Sequence, residues 1–330
     1  MKNLRLFRFI SAVFSVCLPL LLGSCGKSVM GMQTEYVFGT VCTVDLYEDG
    51  TEELYAEIFE RLRDIEKEFS VRIRESEISR INASMGRKVY VSREVFDLLQ
   101  NSVYISKVTD GAFNPALGAL IELWGIGTDH ERVPEIEEIE EAKKHCDPGK
   151  VVLAEEDGKY SVVLEDEKIR IDLGGIVKGF AADETVRILE KKGVKKALIN
   201  FGGNVYAYGH KSDLPGSYWK IGIKNPLEDT SEPIEVVSVD SQSVVTSGGY
   251  ERFFIRDSVR YHHIIDGKTG FPAENDMASV TVISKSSTLC DALATAWFVS
   301  GGKGDFEGIT ENNKIQLVII TKNGEIHKKE

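Results

Sequence analysis

Asp291 and Thr295 stand one helical turn apart in Leu289–Val299, a run whose composition predicts a helix capped by Ser287 or Thr288 and ended by Gly301-Gly302. Their side chains then share one face. A carboxylate and a hydroxyl so placed are oxygen ligands suited to a hard cation such as Mg2+. The plainer reading of the pair is a threonine bonded to its own helix and an aspartate near a helix start. A second candidate is the stretch from Ile171 to Asp183, in which Asp172 and Leu173 lead through Gly174-Gly175 to Lys178. Glycines at a strand–helix junction let backbone approach a ligand, and the opening N–H groups of a helix favour an anion. Lys178 adds a point charge there, and Asp172 can accept hydrogen bonds from a sugar or base. The stretch reads either as a seat for a phosphorylated ligand or as a tight turn beside a solvated lysine. It is neither a Walker loop nor a GxGxxG fingerprint, since no Ser or Thr follows Lys178. His262 and His263 alternate faces of an expected strand, so one of them can point at a site. Thr246-Ser247-Gly248 lacks the G-x-S-x-G elbow, which weakens a serine hydrolase built on Ser247 and His263.

The elements that would position these groups follow from hydrophobic spacing. Leu54, Ile58, Leu62, Ile65 and Phe69 make Thr51–Phe69 an amphipathic helix, and Ser92 caps another that runs to about Val108. Ser76 and Ser79 are further possible caps, and Glu135–Lys144 reads as an acidic surface helix. Val41–Tyr47 alternates as a half-buried strand, with Gly39-Thr40 interrupting the pattern as a bulge or close approach. From Val151 the pattern turns to β: Val151–Leu153, Tyr160–Leu164 and Lys168–Leu173, with Asp157-Gly158 as a hairpin signal, before the helix Ile176–Lys191. Ala197–Tyr208 is an apolar strand broken by Gly202-Gly203-Asn204, and strands continue at Trp219–Ile223, Ile234–Val239, Ser243–Thr246, Arg252–Ile255, Ser279–Ser284 and Ile315–Thr321. Long β runs with helices between them predict a mixed α/β or α+β fold of layered sheets and packed helices.

The chain has 330 residues and a formal charge of −12. Lys2, Arg5 and Arg8 precede an apolar run, Phe9–Leu22, too short for a comfortable membrane span. It ends in Leu22-Gly23-Ser24-Cys25, which resembles the lipobox of bacterial lipoproteins, so residues 1–24 read as a leader and Cys25 as a lipidated N-terminus. Residues 25–34 read as a tether, and 35–330 as one large domain or two intimate subdomains. Such a chain is expected on the outer side of a bacterial cytoplasmic or outer membrane. Losing those three positive charges takes −12 to −15. That excess argues against nucleic acid as a partner and requires any anionic ligand to be held by local devices. Cys42, Cys146 and Cys290 lie far apart without a CxxC, so neither a zinc site nor a disulfide framework is indicated.

Taken in order, several segments resemble the ApbE family, the FAD:protein FMN transferases. They are Phe38-Gly39-Thr40, the run from Ser76 to Asn82, Gly111-Ala112-Phe113-Asn114, Asp172 to Gly179, and Asn200 to Asn204. Thr246-Ser247-Gly248, His263-Ile264-Ile265-Asp266 and Asp291 to Thr295 complete the set. The resemblance implies FAD as donor and transfer of FMN to a Thr or Ser hydroxyl of an acceptor protein, with release of AMP. It implies that Asp291 and Thr295 hold Mg2+, or Mn2+, with a carbonyl near Gly175. Phe38, Ala112, Phe113, Asn114, Asp172, Lys178, His263 and Ile265 would then line the FAD site, and His263 is the candidate base beside Asp291. A membrane redox complex subunit is the kind of acceptor implied. The pattern departs at Val71 and Arg72, where an aromatic is frequent, at Asn114 for Asp, and at Gly267 for Pro. An FAD-binding lipoprotein without transfer, or a pyrophosphatase giving FMN and AMP, would carry many of the same residues.

Overall fold

The computed structural model describes residues 30–329 apart from 213, 215, 305, 307, 308 and 310–312. The leader and Cys25 lie outside them. β1 (Gln33–Val37) begins inside the stretch expected to be tether and pairs with β2 (Thr40–Asp45). Then come α1 (Glu52–Phe69), α2 (Glu77–Asn82), β3 (Val89–Val91), α3 (Arg93–Val108), α4 (Gly118–Trp124) and α5 (Ile136–Lys143). β4 (Val151–Glu156) and β5 (Lys159–Leu164) form a hairpin, followed by α6 (Val177–Lys192), β6 (Ala197–Phe201) and β7 (Asn204–Tyr208). β8 (Trp219–Lys224), β9 (Pro233–Val239), β10 (Gln242–Gly248), β11 (Phe253–Arg256) and β12 (Val259–His262) precede β13 (Met277–Ser284). The chain closes with α7 (Ser287–Val299), β14 (Gln316–Thr321) and β15 (Ile326–Lys329).

The centre is an eight-stranded antiparallel sheet in the order β1-β2-β6-β7-β10-β13-β14-β15. One face carries α1, α6 and α7 over the main hydrophobic core. The other is covered in part by the β8–β9 hairpin, whose Trp219 and Ile221 pack with Ala207, Val244 and Ile283. Covered on both sides, β13 is buried from Ser279 to Ser284. The β3-β5-β4 sheet stands apart beside α3. No helix among the described residues is long and apolar enough to cross a membrane.

Local chemistry explains most boundaries. Thr51, Ser76 and Ser92 each accept an N–H of the helix that follows, while Ser79 instead gives its hydroxyl to the Ser70 and Val71 carbonyls. All five apolar positions of the α1 stripe are buried. α7 starts at Ser287 under a Ser286 cap, earlier than the spacing predicted. It is apolar nearly all round because it is wedged between α6 and the strands β10 and β13. Trp297 and Phe298 are fully buried there, and each such side chain contributes about 1.5–3 kcal/mol.

Three expectations are corrected. Lys168–Leu173 is not a strand. Ile169, Ile171 and Leu173 do point inward, but the backbone hydrogen bonds of the segment go to loop groups and a side chain. The Ile171 N–H and carbonyl pair with the Asn82 amide, the Arg170 carbonyl accepts from Gly118, and the Asp172 N–H donates to Pro115. Gly39 is not a bulge inside a strand. Phe38 and Gly39, at φ 57° and 67°, form the two-residue turn of the β1–β2 hairpin. Likewise Ala197–Tyr208 is not one broken strand but the β6–β7 hairpin, turned at Gly202-Gly203.

Candidate active site

The site is assembled where α6 crosses α7. Gly179 permits the crossing, since a Cβ there would lie 2.3 Å from the Ser287 carbonyl oxygen. Asp183, one turn further along α6, locks it. Its carboxylate accepts the Ser287 and Thr288 N–H groups and the Ser286 and Thr288 hydroxyls. An acidic group at a helix start is favoured by the helix dipole as well. Asp291 is thereby brought to the first turn of α6, where its Oδ2 accepts the Gly179 N–H at 3.0 Å. Gly179 is the third residue of α6, so its N–H has no acceptor within the helix and the carboxylate caps it.

Asp291 is 3% exposed, and its Oδ1 lies 3.6 Å from the Lys178 ammonium. The ammonium also donates to the Gly174 carbonyl. Thr295 faces the same bend. A Cβ placed on Gly175 would stand 3.4 Å from both the Thr295 hydroxyl and the Phe113 ring. The Thr295 hydroxyl bonds the Asp291 carbonyl at 3.3 Å, as a helical threonine commonly does, and lies 3.4 Å from the Ser247 hydroxyl. Thus a carboxylate and two hydroxyls from α7 and β10 converge beside the diglycine turn. This is an all-oxygen set of the kind hard cations take. Among the described residues no three His, Cys, Asp or Glu side chains cluster as a metal site. A cation here would therefore draw on the hydroxyls and on oxygens of its ligand.

A ring of charge surrounds this point. Asp172 accepts the Gly174 N–H at 2.8 Å. Burial raises its pKa, opposed by that bond and by Arg72, Lys178 and Arg252. Arg252 also donates to the Gly39 carbonyl, which ties the β1–β2 hairpin tip to the cleft. Glu251 shares the field of Lys178, Arg252 and Asp291, and burial again pushes its pKa up. The Nδ1 of His263 lies 3.2 Å from the Arg252 carbonyl. Burial, and next the Arg252 charge, bring the ring down to about 4. A carbonyl only accepts, so Nδ1 carries the proton and Nε2 holds the lone pair. His262 is turned away against Phe298 and bonds the Ala273 carbonyl.

Not every expected residue meets the centre through its side chain. The Phe38 ring packs on the core, while its N–H goes to Glu66. The Asn114 amide is consumed by the Cys146 carbonyl and the Ala116 N–H. Ile265 is buried with Leu117 and Trp124. Ala112 is half-buried beside the buried Phe113. Ser247 has Thr295 as its hydroxyl partner and His263 has a carbonyl, so no serine–histidine pair forms. Arg72, Glu251 and Arg252 were not anticipated as site residues. They follow or precede regular elements, and no spacing distinguishes them from surface charges.

The fold and the site therefore define a mixed α/β protein in which a buried carboxylate, two hydroxyls and a lysine meet at a helix crossing. The profile of the ApbE family matches residues 38–319, and this chain belongs to that family. It is 40% identical over 303 residues to the FAD:protein FMN transferase of Treponema pallidum, covering 87% of this chain and 84% of that one. It is 38% identical over 276 residues to one from Klebsiella pneumoniae, covering 83% and 84%. An ApbE protein from Thermotoga maritima shares the fold at a TM-score of 0.79 and 35% identity, with 91% of this chain and 96% of that one covered. The flavinyl transferase ApbE of Pseudomonas stutzeri, in its apo form, matches at a TM-score of 0.76 and 29% identity, covering 90% and 93%.

Proposed function

We propose that this protein is an FAD:protein FMN transferase that moves FMN from FAD to a Thr or Ser hydroxyl of an acceptor protein, with a divalent cation, and releases AMP. The observation that carries the reading is the convergence of Asp291, Thr295 and the diglycine turn. In the reaction the acceptor oxygen attacks the FMN phosphorus. The bond from that phosphorus to the bridging oxygen breaks, and AMP leaves with the electron pair. The acceptor hydroxyl loses its proton.

Asp291, Thr295 and the Gly175 carbonyl would hold Mg2+ or Mn2+, which supplies Lewis-acid neutralisation of the pyrophosphate and of the leaving group. On a protein of charge −12 that neutralisation is needed beside a buried carboxylate. Lys178 adds a second positive charge at the same place. Asp172 is placed to accept hydrogen bonds from the flavin nucleotide, and Phe113 forms an apolar wall against the turn. Nε2 of His263 would take the acceptor proton, a role that contributes roughly 10²–10⁴ in rate. Phe38, Ala112, Asn114 and Ile265 would shape the FAD pocket chiefly through backbone and packing. Lipid attachment at Cys25 would hold the enzyme outside the cytoplasm, close to membrane redox subunits as acceptors.

The test is product analysis. Purified protein incubated with FAD, Mg2+ and a flavoprotein acceptor should release AMP and leave one FMN covalently on the acceptor by mass. FMN and AMP formed without a covalent product would make the protein a pyrophosphatase instead. FAD bound but intact after hours with metal would make it a binding protein.

A further inference from the structure

β11 and β12 form a two-stranded ribbon outside the main sheet, with no third strand on either edge among the described residues. A lone hairpin is marginal in water unless something packs on it. One face is packed: Phe254 stacks on Tyr261 at 5.2 Å, and Tyr261 lies against Trp124. The opposite side is open, with Ile255 63% exposed and Phe253 38% exposed. The Arg260 guanidinium covers the Phe253 ring at 4.3 Å. Across Arg252–His262 three arginines stand against one aspartate, on a chain whose net charge is −12.

The ribbon also begins and ends at the active site. Arg252, which precedes β11, reaches the Gly39 carbonyl, and His263, which follows β12, donates its N–H to the Arg252 carbonyl at 3.1 Å. A chain laid along the ribbon would thus be led to the His263 ring.

We infer that the β11–β12 ribbon is the docking surface for the acceptor, taking an extended, acidic segment that adds as a third strand and delivers its Thr or Ser to His263. Main-chain bonds to the free edge supply affinity that does not depend on sequence. Ile255 and Phe253 receive alternate side chains, and Arg256 and Arg260 select acidic flanks. Steering by these arginines falls with salt. The inference rests on the transferase reading for what the ribbon delivers, but not for what it binds.

Two short fluorescein-labelled peptides test it, each alternating β-branched and charged residues around a central threonine, one acidic and one with lysines instead. The acidic peptide should bind in preference and slow hydrogen exchange at 253–262. The R256E/R260E variant should weaken it by roughly tenfold or more. An equal charge change elsewhere, K191E/K195E, should leave binding near the wild-type value. Equal binding of both peptides, no binding of the acidic one up to millimolar concentration, or an unchanged R256E/R260E variant would overturn the docking assignment. Adding FAD and Mg2+ separates the two claims. An acidic peptide that docks on the ribbon yet never gains FMN counts against the transferase and leaves the dock standing. A peptide that gains FMN with the same KM in wild type and R256E/R260E does the reverse.

Discussion

The Asp291 carboxylate caps the Gly179 N–H at 3.0 Å across the contact of α6 and α7, and this N–H is one of those at the start of α6 that have no partner within the helix. That bond fixes a buried carboxylate at the first turn of α6, beside the diglycine turn. The first turn of α6 and the α7 helix, 112 residues apart at this bond, are thereby joined at one point.

Gly179→Ala should damage the enzyme through this crossing. The new methyl would meet the Ser287 backbone at 2.3 Å, and backbone cannot swing aside as a flexible side chain would. Overpacking of this kind costs roughly 1–3 kcal/mol. The expected result is a lower thermal midpoint together with lost FMN transfer, measured by calorimetry and by covalent flavin fluorescence.

Asp183→Ala removes the acceptor of four hydrogen bonds at the start of α7. Loss of a charged cap and exposure of its donors should cost about 2–4 kcal/mol. Chemical denaturation would read this directly. Asp183→Asn should recover part of the stability, because an amide oxygen still accepts.

The His263 ring, held down to about 4, should make the acid limb of the pH–rate profile fall near that value and not near 6.5. The stability linkage has the same sign. Below 6.5 the unfolded chain takes up a proton that the folded ring refuses, so this contribution is whole above 6.5 and is lost as pH falls towards 4. A His263→Gln variant should lose less stability over that interval in thermal melts at stepped pH.

Ser247→Ala tests whether the β10 hydroxyl near Thr295 is a nucleophile. The geometry pairs it with Thr295 and not with a base. FMN transfer should persist, reduced only by the loss of a neighbouring hydroxyl, and a serine-directed phosphonate should fail to label the wild type.

Much of this was legible in the sequence because periodicity reports burial. The α1 stripe and the Ser76 and Ser92 caps fell where spacing placed them, and Thr295 does face Gly175, with Asp291 against Gly179 one turn on. Periodicity was blind to what completes a backbone. Ile169, Ile171 and Leu173 alternate as a strand would, yet the side chain of Asn82, 89 residues away in sequence, takes the place of a neighbouring ladder. The arginines of the cleft were illegible for another reason. Arg72 and Arg252 are surface-type residues at element ends, and only tertiary folding brings both beside Asp172. Asn114 shows the converse, a motif residue whose amide proves to be internal scaffolding.

In the proposed reaction Asp291 and Thr295 would hold a divalent cation against the pyrophosphate of FAD. Mn2+ titrated into protein with FAD, with free Mn2+ read by electron paramagnetic resonance, tests it most directly. Wild type should withdraw Mn2+ from solution when FAD is present. Asp291→Ala should weaken this by about 10²-fold or more, several kcal/mol, and Thr295→Val by less. An Asp291→Ala protein that binds Mn2+ and FAD as wild type does, and still transfers FMN, would contradict it.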